Sequence, residues 1–377
     1  MEGLQTAIPR RLFYLRTIVT LGIFISFFLS MNLWGGGRYF PSIPVFEQFH
    51  LTPPFDYVLV IVSALFLLAS LLFRNTRMFI FLSLLINVFL LLLDLNRLQP
   101  WFFVYNAVLI VFLFYNGRVD NSNKFTSVFI FIQMIVASVY VYNGVSQLMN
   151  PIFIETDFND IILPLKKVVS ERQFIFFLKT GKVVPYVMIF IGIGLLFRQV
   201  KYLAISLGLC MHLFLFVLLF PSAGNSNYAL WFMNLVFGTM IILLFSGKTQ
   251  QRYFSYSFLF QKPLFYLILL AFWVMPAFNH SQRWPDALSS NFKSGASGKE
   301  KVLISKNVYE GLPNYIRSFC SPHKEGQYVL KLDKWCGHEL RSEYFNHEIL
   351  MPGRFKEAMQ IVTAGAPLPE DELSVKR

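Results

Sequence analysis

The sequence predicts an all-α polytopic membrane bundle of about nine transmembrane helices, followed by a small α+β extracytoplasmic C-terminal domain. Hydrophobic residues make up 55% of the chain and charged residues only 14%, and the mean hydropathy is +0.52. Soluble globular proteins do not have this composition. From His280 onward, charged residues of both signs become frequent, as in a soluble domain. The predicted domains are therefore the bundle, residues 1–279, and the outer domain, residues 280–377.

Long apolar stretches predict the individual spans. Several of them are shorter than the ~20 residues that a bilayer core requires. Between the fifth and sixth stretches, residues 149–182 carry charges of both signs. We expect this segment to lie on the extracytoplasmic membrane surface or to re-enter the mouth of the bundle. The predicted spans are Leu21–Trp34, Phe55–Phe73, Met78–Leu93, Trp101–Tyr115, Phe125–Leu148, Val183–Phe197, Tyr202–Phe220, Tyr228–Phe245 and Pro263–Phe278.

The basic residues between the apolar stretches predict the orientation. With the N-terminus inside, the short outer loops carry only Arg38 and Arg97, as the positive-inside rule requires. An odd number of spans places the two termini on opposite sides. We therefore expect an inner (cytoplasmic) membrane protein with a cytoplasmic N-terminus and an extracytoplasmic C-terminal domain. The net charge of +12 is explained by this topology, and no nucleic-acid partner is predicted.

The fifth predicted span carries a polar face. Gln133, Tyr140 and Gln147 are seven residues apart, which is close to two helical turns, and Asn143 falls on the same stripe. Lipid offers no hydrogen-bond partners, so these side chains must face protein or a cavity.

Polar residues of other spans are expected at similar depth. Asp94 ends the third span, Asn234 lies in the eighth, and His212 lies near the middle of the seventh. We expect them to share one cavity with the polar face of the fifth span, and His212 is the candidate acid–base group. The alternatives are a structural histidine bonded across helices, and an interfacial ion pair and cap formed by Asp94 and Arg97.

Two cysteines in the outer domain, Cys320 and Cys336, predict a disulfide, which would stabilise an exported domain by roughly 3 kcal/mol. The alternatives are two free thiols or a zinc site with His323 and His338. Only one residue separates Cys336 from His338, which is too short for the usual zinc patterns, so no metal site is predicted. The expected strands of this domain are Lys301–Ser305 and Tyr328–Trp335, and the expected helix is Arg354–Ala364.

The pattern Tyr140-x3-Gly144-x2-Gln147-Leu148, the long loop after it and a later span with a central histidine resemble the HTTM membrane domain. This is the module of the vitamin K-dependent gamma-carboxylases and their bacterial relatives, and the resemblance covers roughly residues 11–248. It implies a lipid or quinone-like ligand as the cofactor or substrate. The carboxylases use a lysine base, where this chain offers Gln147. A carboxamide cannot accept a proton, so no carboxylation is expected. A looser similarity connects the chain to DoxX-like proteins of quinone-linked redox systems.

These observations predict an HTTM-type membrane protein that binds a lipid or quinone-like ligand in an outward-facing intramembrane cavity. Whether it is an enzyme is left open. The alternative is a non-catalytic accessory or scaffold subunit whose partners are proteins of a larger membrane complex, besides membrane lipids. A transporter is less favoured, because no inverted repeat and no charged pair at mid-membrane depth are found. The predicted site comprises His212 as the catalytic residue and Asp94, Arg97, Gln133, Tyr140, Asn143, Gln147 and Asn234 as ligand-binding residues.

Overall fold

The structure, a computed structural model, is mostly helical. Within the described residues, seven helical stretches are long and apolar enough to cross a membrane, which indicates a membrane protein. They are Arg10–Leu29, Phe55–Leu72, Thr76–Leu93, Thr126–Met149, Glu171–Leu196, Lys201–Leu218 and Tyr228–Phe245. The structure describes residues 2–46, 51, 54–73, 75–114, 122–220, 227–247, 257–290, 292, 301–323, 326–345, 350–351, 353, 357 and 359.

The helices follow the apolar stretches of the sequence closely, but two of the predicted spans form shorter helices. Pro100–Leu113 and the segment Pro263–Phe278 fall below membrane-spanning length, so the structure supports seven candidate spans rather than nine. The helices of the bundle are α1 (Glu2–Leu29), α2 (Met31–Trp34), α3 (Phe55–Leu72), α4 (Thr76–Leu93), α5 (Pro100–Leu113), α6 (Ser122–Met149), α7 (Asn159–Ile162), α8 (Glu171–Thr180), α9 (Val184–Leu196), α10 (Lys201–Leu218), α11 (Tyr228–Phe245), α12 (Ser257–Phe260) and α13 (Pro263–Leu269).

The first span begins well before the predicted Leu21. Its helix includes Arg10 and Arg16, and the Arg16 guanidinium donates to the Thr76 hydroxyl at 3.2 Å, at the start of α4. Arginine is tolerated near a helix end because its long side chain carries the charge to a polar neighbour or to the interface. The sequence prediction placed the residues before Leu21 outside the span because they include these arginines.

Residues 149–182 are helical in short pieces. A π-helical turn at Ile154–Phe158 precedes α7, a 3-10 turn follows at Leu163–Lys167, and α8 runs through a second 3-10 turn into α9. Ser170 caps α8 with a reciprocal Ser170–Gln173 capping box, which explains why the helix begins there. Phe158 and Phe174 pack with Leu218 at the end of α10, so this segment closes one end of the bundle.

Helices α6 and α9 pack in close contact because glycine lies at their crossing points. A Cβ atom on Gly144 would lie 2.6 Å from the Pro185 carbonyl oxygen, and one on Gly192 would lie 2.7 Å from that of Ala137. Small residues let helix backbones approach in this way in membrane proteins. This contact fixes α6, which carries the polar face, against its neighbour.

The C-terminal part contains a three-stranded antiparallel sheet in the order β1-β3-β2. The predicted first strand is confirmed. The second ends at Lys331, and the chain continues as a helix because Leu332, Trp335, Cys336 and Leu340 are buried at helical spacing. The predicted helix at 354–364 falls largely outside the described residues. The elements are β1 (Lys301–Ser305), α14 (Lys306–Gly311), α15 (Asn314–Arg317), β2 (Cys320–Pro322), β3 (Gln327–Lys331) and α16 (Leu332–Leu340).

This sheet-containing part packs on the end of the bundle opposite to Arg10 and Arg16. The Phe40 ring contacts Trp335 edge-on at 4.9 Å between centroids, and the Gln99 amide donates to the Glu343 carbonyl at 3.0 Å.

The predicted disulfide is not formed, since Cys320 and Cys336 are free thiols. The Cys320 thiol lies 3.7 Å from the Ile316 carbonyl, and the Cys336 thiol lies 3.7 Å from that of Ser342. Burial raises the pKa of Cys320 to about 11 and that of Cys336 to about 12, so both remain protonated near neutral pH. The apolar core, in which Trp335 and Leu340 are fully buried, holds α16 in place without the cross-link.

Candidate functional site

A cavity of about 140 Å³ lies between α6, α9, α10 and α11, below the segment that closes this end of the bundle. Five of the residues predicted from the sequence line it: Tyr140, Asn143, Gln147, His212 and Asn234. They converge from three helices, as the helical spacing along α6 and the depths of the other two residues predict. Aromatic side chains complete the lining: Phe237 from α11, and Phe153, Phe158 and Phe292 from other segments.

Three of these side chains form a hydrogen-bonded chain. The Tyr140 hydroxyl bonds to Nε2 of His212, and Nδ1 of His212 lies 3.0 Å from Oδ1 of Asn234. Asn234 in turn donates from Nδ2 to the Leu230 carbonyl at 2.9 Å. All three side chains are at least nine-tenths buried. The chain thus links α6, α10 and α11 through one imidazole.

The donors and acceptors of this chain can be assigned. The Leu230 carbonyl only accepts, so Asn234 must turn its NH₂ group toward it and its oxygen toward the imidazole. None of the described residues that line the cavity is acidic, so no carboxylate compensates an imidazolium, and the neutral ring has a single proton to place. That proton lies on Nδ1 and is donated to Asn234, so Nε2 accepts the Tyr140 hydroxyl proton. Asn234 is a positioning residue that fixes the tautomer of His212.

Asn143 and Gln147 lie one turn apart on α6, on the same wall of the cavity. Gln147 Nε2 is 3.5 Å from Asn143 Oδ1, at the outer limit of a hydrogen bond. The other amide atom, Gln147 Oε1, is buried and has no hydrogen-bond partner among the described residues. A buried carbonyl oxygen without a partner carries a desolvation cost of ~1–3 kcal/mol, which a bound ligand would relieve.

The rest of the cavity is apolar. Met188, Met211, Leu215 and Met233 contribute side chains, and methionine adapts readily to the shape of a ligand. The rings of Tyr140 and His212 both contact Phe237, at 6.4 and 6.0 Å between centroids, which holds the imidazole and the phenol in orientation. A few convergent polar groups on an apolar surface are typical of small-molecule sites.

Asp94 and Arg97 do not line this cavity, which corrects their predicted ligand-binding role. Asp94 forms an ion pair with Arg38 and accepts backbone N–H bonds from Ile43 and Asn96, at 3.0 and 3.1 Å. Asp94 follows the last residue of α4, in the connection to α5. The loop of residues 35–45 folds back onto this connection and brings Arg38 to Asp94. The predicted ion-pair and cap alternative describes Asp94, but its partner is Arg38 rather than Arg97.

Arg97 is buried and donates to three backbone carbonyls. Its guanidinium lies 2.6 Å from the Trp34 oxygen, 3.1 Å from that of Leu90 and 3.5 Å from that of Leu33. Burial would raise the pKa of the Asp94 carboxyl, but Arg38, Arg97 and the two backbone donors hold it below its usual value. We call Arg38, Asp94 and Arg97 the charged latch, because they fasten the loop after α2 to the start of α5.

Gln133 is also absent from the cavity. Its Nε2 donates to the Leu244 carbonyl at 2.8 Å, near the opposite end of α11. The heptad spacing placed Gln133 on the correct face of α6, but fourteen residues of helix span roughly 21 Å along the axis, more than one small cavity can extend. Its role is to join α6 to α11.

Sequence reasoning missed Arg38, the Leu230 carbonyl and the aromatic residues that cover the cavity. Arg38 stands in a loop with no periodicity, so nothing in the sequence connects it to Asp94. The π-helical turn at Ile154–Phe158 is of a kind often found at functional sites, but no residue pattern predicts it. Among the described residues, no group of three or more His, Cys, Asp or Glu side chains could hold a metal ion.

Comparisons of this chain with protein-family models, with curated proteins and with solved structures found no match.

Proposed function

We propose that this membrane protein is of the HTTM type and binds a lipid or quinone-like ligand in the cavity between α6, α9, α10 and α11. The observation that supports this proposal is the mainly apolar cavity on which Tyr140, Gln147 and His212 converge. Its volume of about 140 Å³ is close to that of a cavity of ~150 Å³ that holds one benzene ring. One ring or a short length of chain would therefore fill it.

The proposal extends to the chemistry of the bound group. Tyr140 and His212 both line the cavity, and the lone pair of Nε2 accepts the Tyr140 hydroxyl proton. A ligand proton that moves to the Tyr140 oxygen can be matched by movement of the Tyr140 proton to His212, and the negative charge left on the ligand then balances the imidazolium. His212 is the acid–base group of this proposal, Tyr140 touches the ligand, and Asn234 holds the imidazole. Without a proton acceptor in place of Gln147, carboxylation chemistry is not part of the proposal.

We further propose that the protein lies in the cytoplasmic membrane with the C-terminal domain outside the cytoplasm. The cavity lies toward the bundle end that this domain contacts, since α11 begins there and Asn234 is in its second turn. Arg10 and Arg16 mark the other end, where basic residues favour the cytoplasm. A ligand would then enter from the outer half of the bilayer.

Filling the cavity tests the proposal. In the Leu215→Trp variant a larger side chain occupies the space beside His212 and should remove most of the bound ligand. The control is Leu213→Trp, two residues away on the same helix, because the Leu213 side chain is 66% exposed on the bundle surface. Mass spectrometry of lipids that survive purification in mild detergent measures the ligand per protein.

We expect one apolar ligand in the unmodified protein and in Leu213→Trp, and little in Leu215→Trp. Equal amounts in both variants, or no retained ligand in any of the three proteins, would contradict the proposal. A stoichiometric protein partner recovered without a ligand would instead favour the accessory-subunit function.

A further inference from the structure

The hydrogen-bonding atoms of the cavity wall indicate which polar group the ligand carries. His212 and Asn234 have both of their polar atoms engaged with each other, with Tyr140 and with the Leu230 carbonyl. Both ring nitrogens of His212 are thus occupied, whereas the second amide proton and the second oxygen lone pair of Asn234 are not used in this chain. Tyr140, Asn143 and Gln147 on α6 supply the other polar atoms of the cavity for ligand recognition.

The atoms that remain on this wall include two acceptors. Gln147 Oε1 has no partner among the described residues, although the side chain is only 6% exposed. The Tyr140 hydroxyl gives its proton to His212, which leaves the lone pairs of its oxygen available. A ligand that offers only acceptors, such as a ketone, ether or quinone carbonyl, would leave Gln147 Oε1 without a partner.

Water alone fits this cavity poorly. Buried water requires two to four polar partners, and apolar cavities of this volume remain dry. Most of the lining is apolar, including Met188, Leu215 and Phe237, so most of the cavity offers water no hydrogen-bond partner. An occupant with an apolar body and one hydrogen-bond donor at its end would match both parts of the cavity.

We infer that the ligand ends in a hydroxyl group that donates to Gln147 Oε1 and that its apolar body lies against the methionine and phenylalanine side chains. This inference rests on the proposed function and narrows its ligand class from lipid or quinone-like molecules to those that carry a terminal hydroxyl.

A matched pair of photoreactive probes tests the inference. One is a medium-chain alkyl alcohol with a diazirine in its chain, and the other is its methyl ether, which lacks only the donor. The full-length protein in lipid nanodiscs is irradiated with each, and the labelled peptides are mapped by mass spectrometry. We expect the alcohol to label the cavity peptides of α6, α10 and α11 about tenfold more than the ether, the ratio for ~1.4 kcal/mol of binding free energy.

Two variants connect the difference to the amide. Gln147→Leu should reduce labelling by the alcohol to the level of the ether. Gln133→Leu, the same substitution on the same helix outside the cavity, should retain the preference. The alcohol-to-ether labelling ratio of the unmodified protein tests the inference even if a variant does not fold.

Equal labelling of the cavity by both probes would overturn the hydroxyl inference and leave the proposed apolar site intact. Labelling by neither probe at the cavity would overturn both.

Discussion

The Asp94→Asn variant should lose about 3–5 kcal/mol of its free energy of unfolding, because breaking a buried ion pair leaves an uncompensated charge. The Arg38 and Asp94 side chains are 6% and 2% exposed, and Arg97 is buried beside them. Asparagine keeps the shape but loses the charge, and its NH₂ group would replace an acceptor that faces Arg38. Thermal or denaturant unfolding of the purified protein in detergent measures the loss.

The pH dependence gives this prediction a second readout. The folded-state pKa of Asp94 lies below its usual 3.8, so its contribution is present above that value and is lost as the pH falls through the folded-state pKa. The difference in unfolding free energy between Asp94→Asn and the unmodified protein should stay constant from neutral pH to about pH 4 and shrink below it.

The control is Glu310→Gln in the exposed pair with Lys306, which should lower the free energy of unfolding by less than ~1 kcal/mol. A loss at Asp94 as small as this would contradict the charged latch.

The Gly144→Ala variant should be destabilised by about 1–3 kcal/mol, although alanine is the better helix former. Its Cβ would lie 2.6 Å from the Pro185 carbonyl oxygen and 3.0 Å from Met188 Cβ, and a backbone atom cannot move without shifting α9. Because Gly144 lies beside Asn143 and Met188 lines the cavity, we also expect ligand retention to fall. Unfolding in detergent and lipid mass spectrometry measure the two effects.

Gly238→Ala on α11 is the matched control for this substitution. The nearest atoms to its added Cβ are at 3.7 and 3.8 Å, an ordinary contact distance. This variant should be neutral or stabilised by up to ~1 kcal/mol. If both glycine variants behaved alike, the close packing of α6 on α9 would not be the determinant of the site.

Helical periodicity and depth located much of the candidate site. Tyr140, Asn143 and Gln147 share a face of α6 because of their spacing alone, and a bilayer leaves such groups no alternative to an inward direction. His212 and Asn234 could be placed at the same depth from their positions in their spans. The sequence could therefore predict which polar residues come together, although it could not predict which atom bonds to which.

The errors have physical causes of their own. Asp94 satisfies the same depth criterion, but its partners come from a loop, and loop conformation is not periodic. The strand predicted from Tyr328 to Trp335 is wrong beyond Lys331, because the apolar residues after that point recur at the helical period. The alternation of a strand is confined to the residues before it. A cysteine pair predicts a disulfide from composition alone, whereas bond formation depends on a distance that the sequence does not contain.

An experimental density map of the full-length protein in lipid nanodiscs tests the central claim most directly. The account predicts an elongated density in the cavity between α6, α9, α10 and α11, with its polar end within hydrogen-bond distance of Gln147. A map in which Tyr140, Asn143 and Gln147 face acyl chains would contradict this claim. So would a map in which His212 and Tyr140 do not contact each other and no cavity lies between the helices.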